Sequence, residues 1–164
     1  MDELTTPLCG EEGLSLHRTI SEFEGAAALA ALGIQRPALL GEKVRELLDH
    51  AGTVTAEAYH GALERRVELL AELDHVLAGV DCLLTAPAAG SAPPAGDNGD
   101  PRFCTRWSLA GTPAICLPAR LGEHGLPLGV QLVGRRGTDA RLLRLARSLE
   151  ESLGFAPHYE RIDA

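Results

Sequence analysis

The chain has 164 residues, 45% hydrophobic and 23% charged, the size of one globular domain with enough apolar side chain for a core. Fifteen Lys and Arg against 23 Asp and Glu give a formal net charge of −8, which argues against a nucleic-acid backbone or an anionic membrane surface as partner. The longest apolar runs, such as residues 26–32, fall far short of the ~20 residues of a spanning helix. No charged segment leading into an apolar stretch marks the N-terminus as a leader, so the expected location is the cytoplasm. Cys9, Cys82, Cys104 and Cys116 are too few and too widely spaced for a disulfide scaffold, and neither they nor the six histidines fall at metal-ligand spacing. Free thiols, no metal and no cofactor are expected.

Taken in chain order, Ser21-Glu22-Phe23-Glu24 reads as a capping box opening a helix over 22–32, with Gly33 just past its end. A shorter helix is expected over 41–50, where Val44, Leu47 and Leu48 form an apolar stripe. From Thr55 to about Ala78, Tyr59, Ala62, Leu63, Val67, Leu70, Leu73 and Leu77 recur at helical spacing, which predicts a long amphipathic helix. Residues 81–85 are a short apolar run ahead of Pro87 and read as a buried strand. Sixteen of the 28 Gly and Pro residues lie in 86–137, so this third of the chain should be loop and short strand.

Within that third, 86–102 is expected as an extended loop and 103–110 as two helical turns before Gly111. Strands are expected over 113–118 and 126–134, linked by 119–125. A last helix starts at Thr138 or Asp139, carries Leu142, Leu143, Leu145, Ala146, Leu149 and Leu153, and closes at Gly154. The pattern predicts an α/β fold with a partial mixed sheet of about three strands flanked by about four helices. It forms a single domain over 1–164, with a helical part over 17–80 and a strand, loop and helix part over 81–154.

Three stretches carry a family resemblance: DCLLTAPAAGSAPP at 81–94, GDPRFCTRWSLAGTPAICLPA at 99–119 and GLPLGVQLVGRRGTDARLLRLARSLE at 125–150. Together with Tyr59-x-x-Ala62-x-x-x-Arg66-x-x-Leu69 upstream, they resemble the C-terminal part of amidase-signature enzymes over roughly residues 17–154. The resemblance implies hydrolysis of an amide C–N bond by a serine activated through a second serine and a lysine, beside an oxyanion hole from a Gly/Ser-rich loop. None of the six serines sits in a comparable stretch, and the single lysine, Lys43, has no serine near it in sequence. An amide hydrolase needs a nucleophile held by a base and amides aimed at the developing oxyanion. The resemblance therefore implies a segment whose catalytic serines and lysine lie outside it.

The resemblance implies substrate contacts at Arg66, for a carboxylate, and at Asp100, for an ammonium group. Trp107 would wall the pocket. Each has a plainer reading: Arg66 as a surface charge beside Arg65, Asp100 as a turn residue or helix cap before Pro101, Trp107 as core. Cys104 is either a nucleophile at a helix start or a buried inert thiol, whereas Cys82 and Cys116 are expected in the core. His124, in a Gly-flanked loop, is the most exposed acid/base candidate, and Val133-Gly134-Arg135-Arg136-Gly137 before the last helix is a loose anion-site candidate.

The leading expectation is an amidase-like segment that contributes pocket residues for a small amide or carboxylate substrate. A second expectation, prompted by the start at Met1, is a stand-alone diverged biosynthetic enzyme using Asp100, His124 or Cys104. A third is a non-catalytic binding or scaffolding subunit whose uncovered sheet edge invites a homodimer or another chain.

Overall fold

The computed structural model describes residue 8, residues 10–33 and residues 39–155. Cys9 and His158 lie outside them. The chain divides into two compact units, 1–76 and 77–164.

The first unit is helical. The first helix, α1, spans Glu11–Ala31 and starts ten residues before the expected capping box. No proline interrupts 11–20, and Glu11 and Glu12 sit favourably in its first turn. Ser21 is thus interior to the helix and turns its hydroxyl to the Arg18 carbonyl at 3.4 Å. Gly13 is buried at a close approach: a Cβ there would meet the Leu8 carbonyl oxygen at 2.5 Å. The helix ends as expected, with Gly33 in the left-handed region at φ 68°.

Helix α2, Glu42–Ala51, lays Leu47 over Gly25 of α1. Helix α3, Ala56–Ala78, is opened by Thr55, whose Oγ1 accepts the Ala58 amide at 3.1 Å. Its buried stripe differs from the expected one. Leu69 is 1% exposed and Val67 is 66% exposed, because the buried positions follow 62, 69, 70, 73 and 77 rather than passing through 67.

The second unit holds β1 (Leu83–Thr85), α4 (Arg102–Ala110), β2 (Ala114–Leu121), a 3₁₀ turn at Glu123–Gly125, β3 (Pro127–Val133) and α5 (Asp139–Leu153). The α/β class is the expected one, with five helices. The sheet order is β1-β3-β2, and both pairings are antiparallel, where a mixed sheet was expected.

Strand β2 runs three residues beyond the expected end at Pro118. Proline cannot donate to a ladder, but β2 is an edge strand among the described residues, and the register shifts between Pro118 and Arg120, a bulge that accommodates the ring. Helix α5 covers one sheet face, where Leu117, Leu132, Leu142 and Ala146 form a core joined by Cys82, Ile115, Val130 and Leu149.

Candidate functional site

Cross-strand register decides what the other sheet face carries. Thr85 pairs with Gln131 and Gln131 with Cys116, and paired residues point to the same side. Leu132 and Ile115 point to α5, so the row Thr85, Gln131, Cys116 faces away from it. Gln131 is the buried polar residue of the described chain, 6% exposed. Its Oε1 accepts the Thr85 hydroxyl at 3.1 Å, which offsets part of the cost of burying an amide.

Next in this face is Gly129, where a Cβ would stand 2.5 Å from Cys116 Sγ and 3.3 Å from Pro87 Cγ. The absent side chain is what lets the thiol lie across β3. From α4, Cys104 Sγ donates to the Pro87 carbonyl at 3.8 Å. Cys116 was expected in the core, yet it is exposed, because the strand's alternation puts Leu117 and not Cys116 toward α5. Cys104 is exposed as well. Burial raises the Cys116 thiol above its ordinary pKa, with the nearness of Cys104 adding to the effect.

Asp100 sits just ahead of α4. Its Oδ1 accepts the Arg102 amide at 2.9 Å and its Oδ2 meets Arg102 Nε at 2.5 Å. The amide first, and then the guanidinium, hold its carboxyl below the ordinary carboxylate pKa, so it is an ionised cap rather than a proton carrier near neutrality. Trp107, on the same helix, is 3% exposed, and its indole Nε1 has no hydrogen-bond partner among the described residues. Gly111 then ends the helix in the left-handed region at φ 64°, which glycine adopts without penalty.

His124 is exposed at the β2–β3 connection with φ 60°, a left-handed value that only a tight turn imposes on a side-chain-bearing residue. The Gly122 amide closes this turn on the Leu126 carbonyl at 2.8 Å. Among the described residues no hydrogen bond or ion pair joins His124 to Asp100 or Cys104. Cys104 and Trp107 thus share α4 with Asp100 just ahead of it, His124 lies on a separate hairpin, and Arg66 belongs to α3 in the first unit.

The stretch 133–137 lies beside a groove of about 320 Å³ lined by Asp81, Arg135, Thr138 and Arg141. There Arg141 is paired with Asp81, so its charge is already neutralised. Lys43 is exposed on α2. Among the described residues no group of three or more metal-binding side chains converges, and no helix is long and apolar enough to cross a membrane.

Sequence reasoning missed the Thr85–Gln131 pair. The available signal was Gln131 itself, an amide at a core-spaced position in the alternating run Leu128-Gly129-Val130-Gln131-Leu132-Val133.

Comparison with known proteins places these elements. A family model described as Amidase matches residues 26–143. "Putative amidase AmiD" of Mycobacterium tuberculosis is 34% identical over 127 residues, 70% of this chain and 26% of that protein. One subunit of the glutamyl-tRNA(Gln) amidotransferase of Thermotoga maritima is also 34% identical, over 68% of this chain and 26% of its own length. A crystal structure of an amidase superimposes with a TM-score of 0.82 at 32% identity, covering 93% of this chain and 37% of that one. The chain thus spans about a quarter of the length of the curated relatives it matches.

Proposed function

Since the chain belongs to the amidase family, we propose that it is the C-terminal, substrate-side portion of an amide C–N hydrolase, whose nucleophile and base are supplied from outside it. The observation that carries this reading is the coverage: 93% of this chain superimposes on little more than a third of an amidase. The sequence supports it, since none of its serines lies in a Gly/Ser-rich stretch and its one lysine is Lys43. An acyl-transfer site without a held nucleophile and an oxyanion hole loses most of its rate.

In this reading the chain's own residues bind and orient substrate. Asp100 is the anionic group on the second unit for a cationic or N–H donor end of a ligand. Arg102, which now pairs with it, is half-exposed and can turn into solvent. Arg66, on the first unit, is a separate candidate for a carboxylate, and Trp107 is buried in the core. Two sheet edges, the outer sides of β1 and β2, are unpaired among the described strands, and Leu84 and Leu121 on those strands are exposed. Such edges take up further strands, which supports association with a second chain.

The test is ammonia release from small primary amides. The purified chain alone should release none, and mixing it with a separately produced segment carrying the serine and lysine region of a related amidase should restore release. Turnover by the chain alone that Asp100→Asn or Cys104→Ala abolishes would overturn the reading in favour of a self-sufficient enzyme.

A further inference from the structure

The fold brings two thiols to Pro87 from different elements. Cys104, in the first turn of α4, has its sulfur 3.8 Å from the Pro87 carbonyl oxygen. Cys116, on β2, lies across Gly129, and the Pro87 ring approaches the same point of β3. Both thiols are free and exposed, and the proposed amide chemistry uses neither. Cys82, the other described thiol, packs with the apolar cluster under α5 and is no competitor for either. A cysteine buried in a core is chemically inert, whereas accessible thiols that share a neighbourhood are open to oxidation.

We propose that Cys104 and Cys116 form an oxidation site that takes hydrogen peroxide and closes to an intramolecular disulfide, tying the start of α4 to the exposed face of the sheet. Cys104, at the open start of α4, is the thiol that meets the peroxide first. Its thiolate attacks one peroxide oxygen. The O–O bond breaks, and the departing hydroxide takes up a proton and leaves as water, so that Cys104 holds a sulfenic acid.

The Cys116 sulfur then attacks the Cys104 sulfur, the S–O bond breaks, and the hydroxyl leaves with the Cys116 proton as a second water. Two thiols lose two electrons and the peroxide gains them. The bond would span from α4 across the Gly111 turn to β2, beside the Thr85–Gln131 pair, and would fix the position of Asp100 at the head of α4.

The test uses the whole chain and needs no activity. After treatment with one equivalent of hydrogen peroxide, the intact mass should fall by two hydrogens and two titratable thiols should vanish. Trypsin, cutting after Arg102, Arg106 and Arg120, should then yield peptide 103–106 joined to peptide 107–120, a species that disappears on reduction. Cys116→Ser should abolish the linked peptide and stop Cys104 at the sulfenic acid, which a second equivalent of peroxide takes to the sulfinic acid. Circular dichroism of that variant should match the wild type, and if it does not, Cys116→Ala provides the same readout. A linkage through Cys9 or Cys82, a disulfide between two copies of the chain, or sulfinic acid at Cys104 in the wild type with Cys116 still reduced would each overturn the proposal.

Discussion

In the first unit, polar and aromatic side chains tie one helix to another alongside the apolar packing of Leu47 over Gly25. Arg65 of α3 forks onto both carboxylate oxygens of Glu12 at 2.6 and 3.2 Å while also reaching Glu68 at 2.6 Å. Tyr59 stacks on Phe23 with centroids 4.3 Å apart and donates to Glu24 at 2.8 Å. Glu22 of α1 pairs with His50 of α2. In the second unit the joints are a strand register and an apolar core, Leu117 and Leu132 against Leu142 and Ala146, with the Asp81–Arg141 ion pair at the surface. The difference teaches where each unit is vulnerable. Charge contacts at exposed sites are weak and respond to salt and pH, whereas close packing responds to volume.

The comparison breaks most sharply at Leu132, 2% exposed and central to the second unit's core. Leu132→Ala should cost about 2–5 kcal/mol, the lost transfer energy plus the cavity left between β3 and α5. A urea titration checks it, and a loss below about 1 kcal/mol would mean that the core can collapse around the gap.

Next comes Gly129→Ala. The new methyl must stand where Cys116 Sγ now lies, with the Leu117 carbonyl oxygen 3.3 Å away on rigid backbone, and overpacking of this kind costs about 1–3 kcal/mol. Adding Cys116→Ala should return much of that loss, because the two sites share one volume. An additive double variant would place the clash elsewhere.

The elements that local sequence specifies were legible, and those that depend on a partner were not. Gly33, Gly111 and Gly154 each end a helix in the left-handed region, as their positions after apolar runs foretold. The long helix α3 and the two strands of the β2–β3 hairpin were also legible, because a period of 3.6 or 2 shows in one segment alone. The start of α1 was misplaced because Ser21 and Glu24 imitate a capping box inside a longer helix, and only the whole segment decides which start wins.

Of the candidate site, the α4 group of Asp100, Cys104 and Trp107 was visible as a run. The Thr85, Gln131 and Cys116 row was not, since register is a property of three strands together.

A smaller effect is expected at Trp107→Phe. The indole is almost wholly buried, yet its Nε1 has no partner among the described residues, so the substitution removes an unsatisfied donor along with part of a ring. Leaving such a donor buried costs about 1–3 kcal/mol, which offsets the lost packing, and the net change should be about 1 kcal/mol or less. A loss several times larger in a thermal melt would reveal a hydrogen bond that the indole makes in solution. At Arg65 the expected loss is smaller still, because the guanidinium and Glu12 are open to solvent. Arg65→Met should lower the urea midpoint at low salt, and the difference should shrink as the screening length falls from about 10 Å at 0.1 M to about 3 Å at 1 M salt. A difference unchanged by salt would assign Arg65 a packing role instead.

The smallest effect belongs to His17 and carries a sign. Burial lowers its pKa below the ordinary 6.5, and the Glu22 carboxylate opposes that shift without cancelling it. A histidine depressed in the folded state takes up its proton more readily when unfolded, so acid favours the unfolded chain. Above the unfolded value neither state is protonated and His17 contributes nothing. As pH falls through 6.5 toward the lower folded value the unfolded state binds more protons and stability declines, levelling off once both states are charged. The imidazole is only partly shielded from water, so the decline is modest. Urea midpoints compared at pH 7.5 and 5.5 should fall less for His17→Gln than for the wild type. An equal or larger fall in the variant would place the acid sensitivity of the first unit elsewhere.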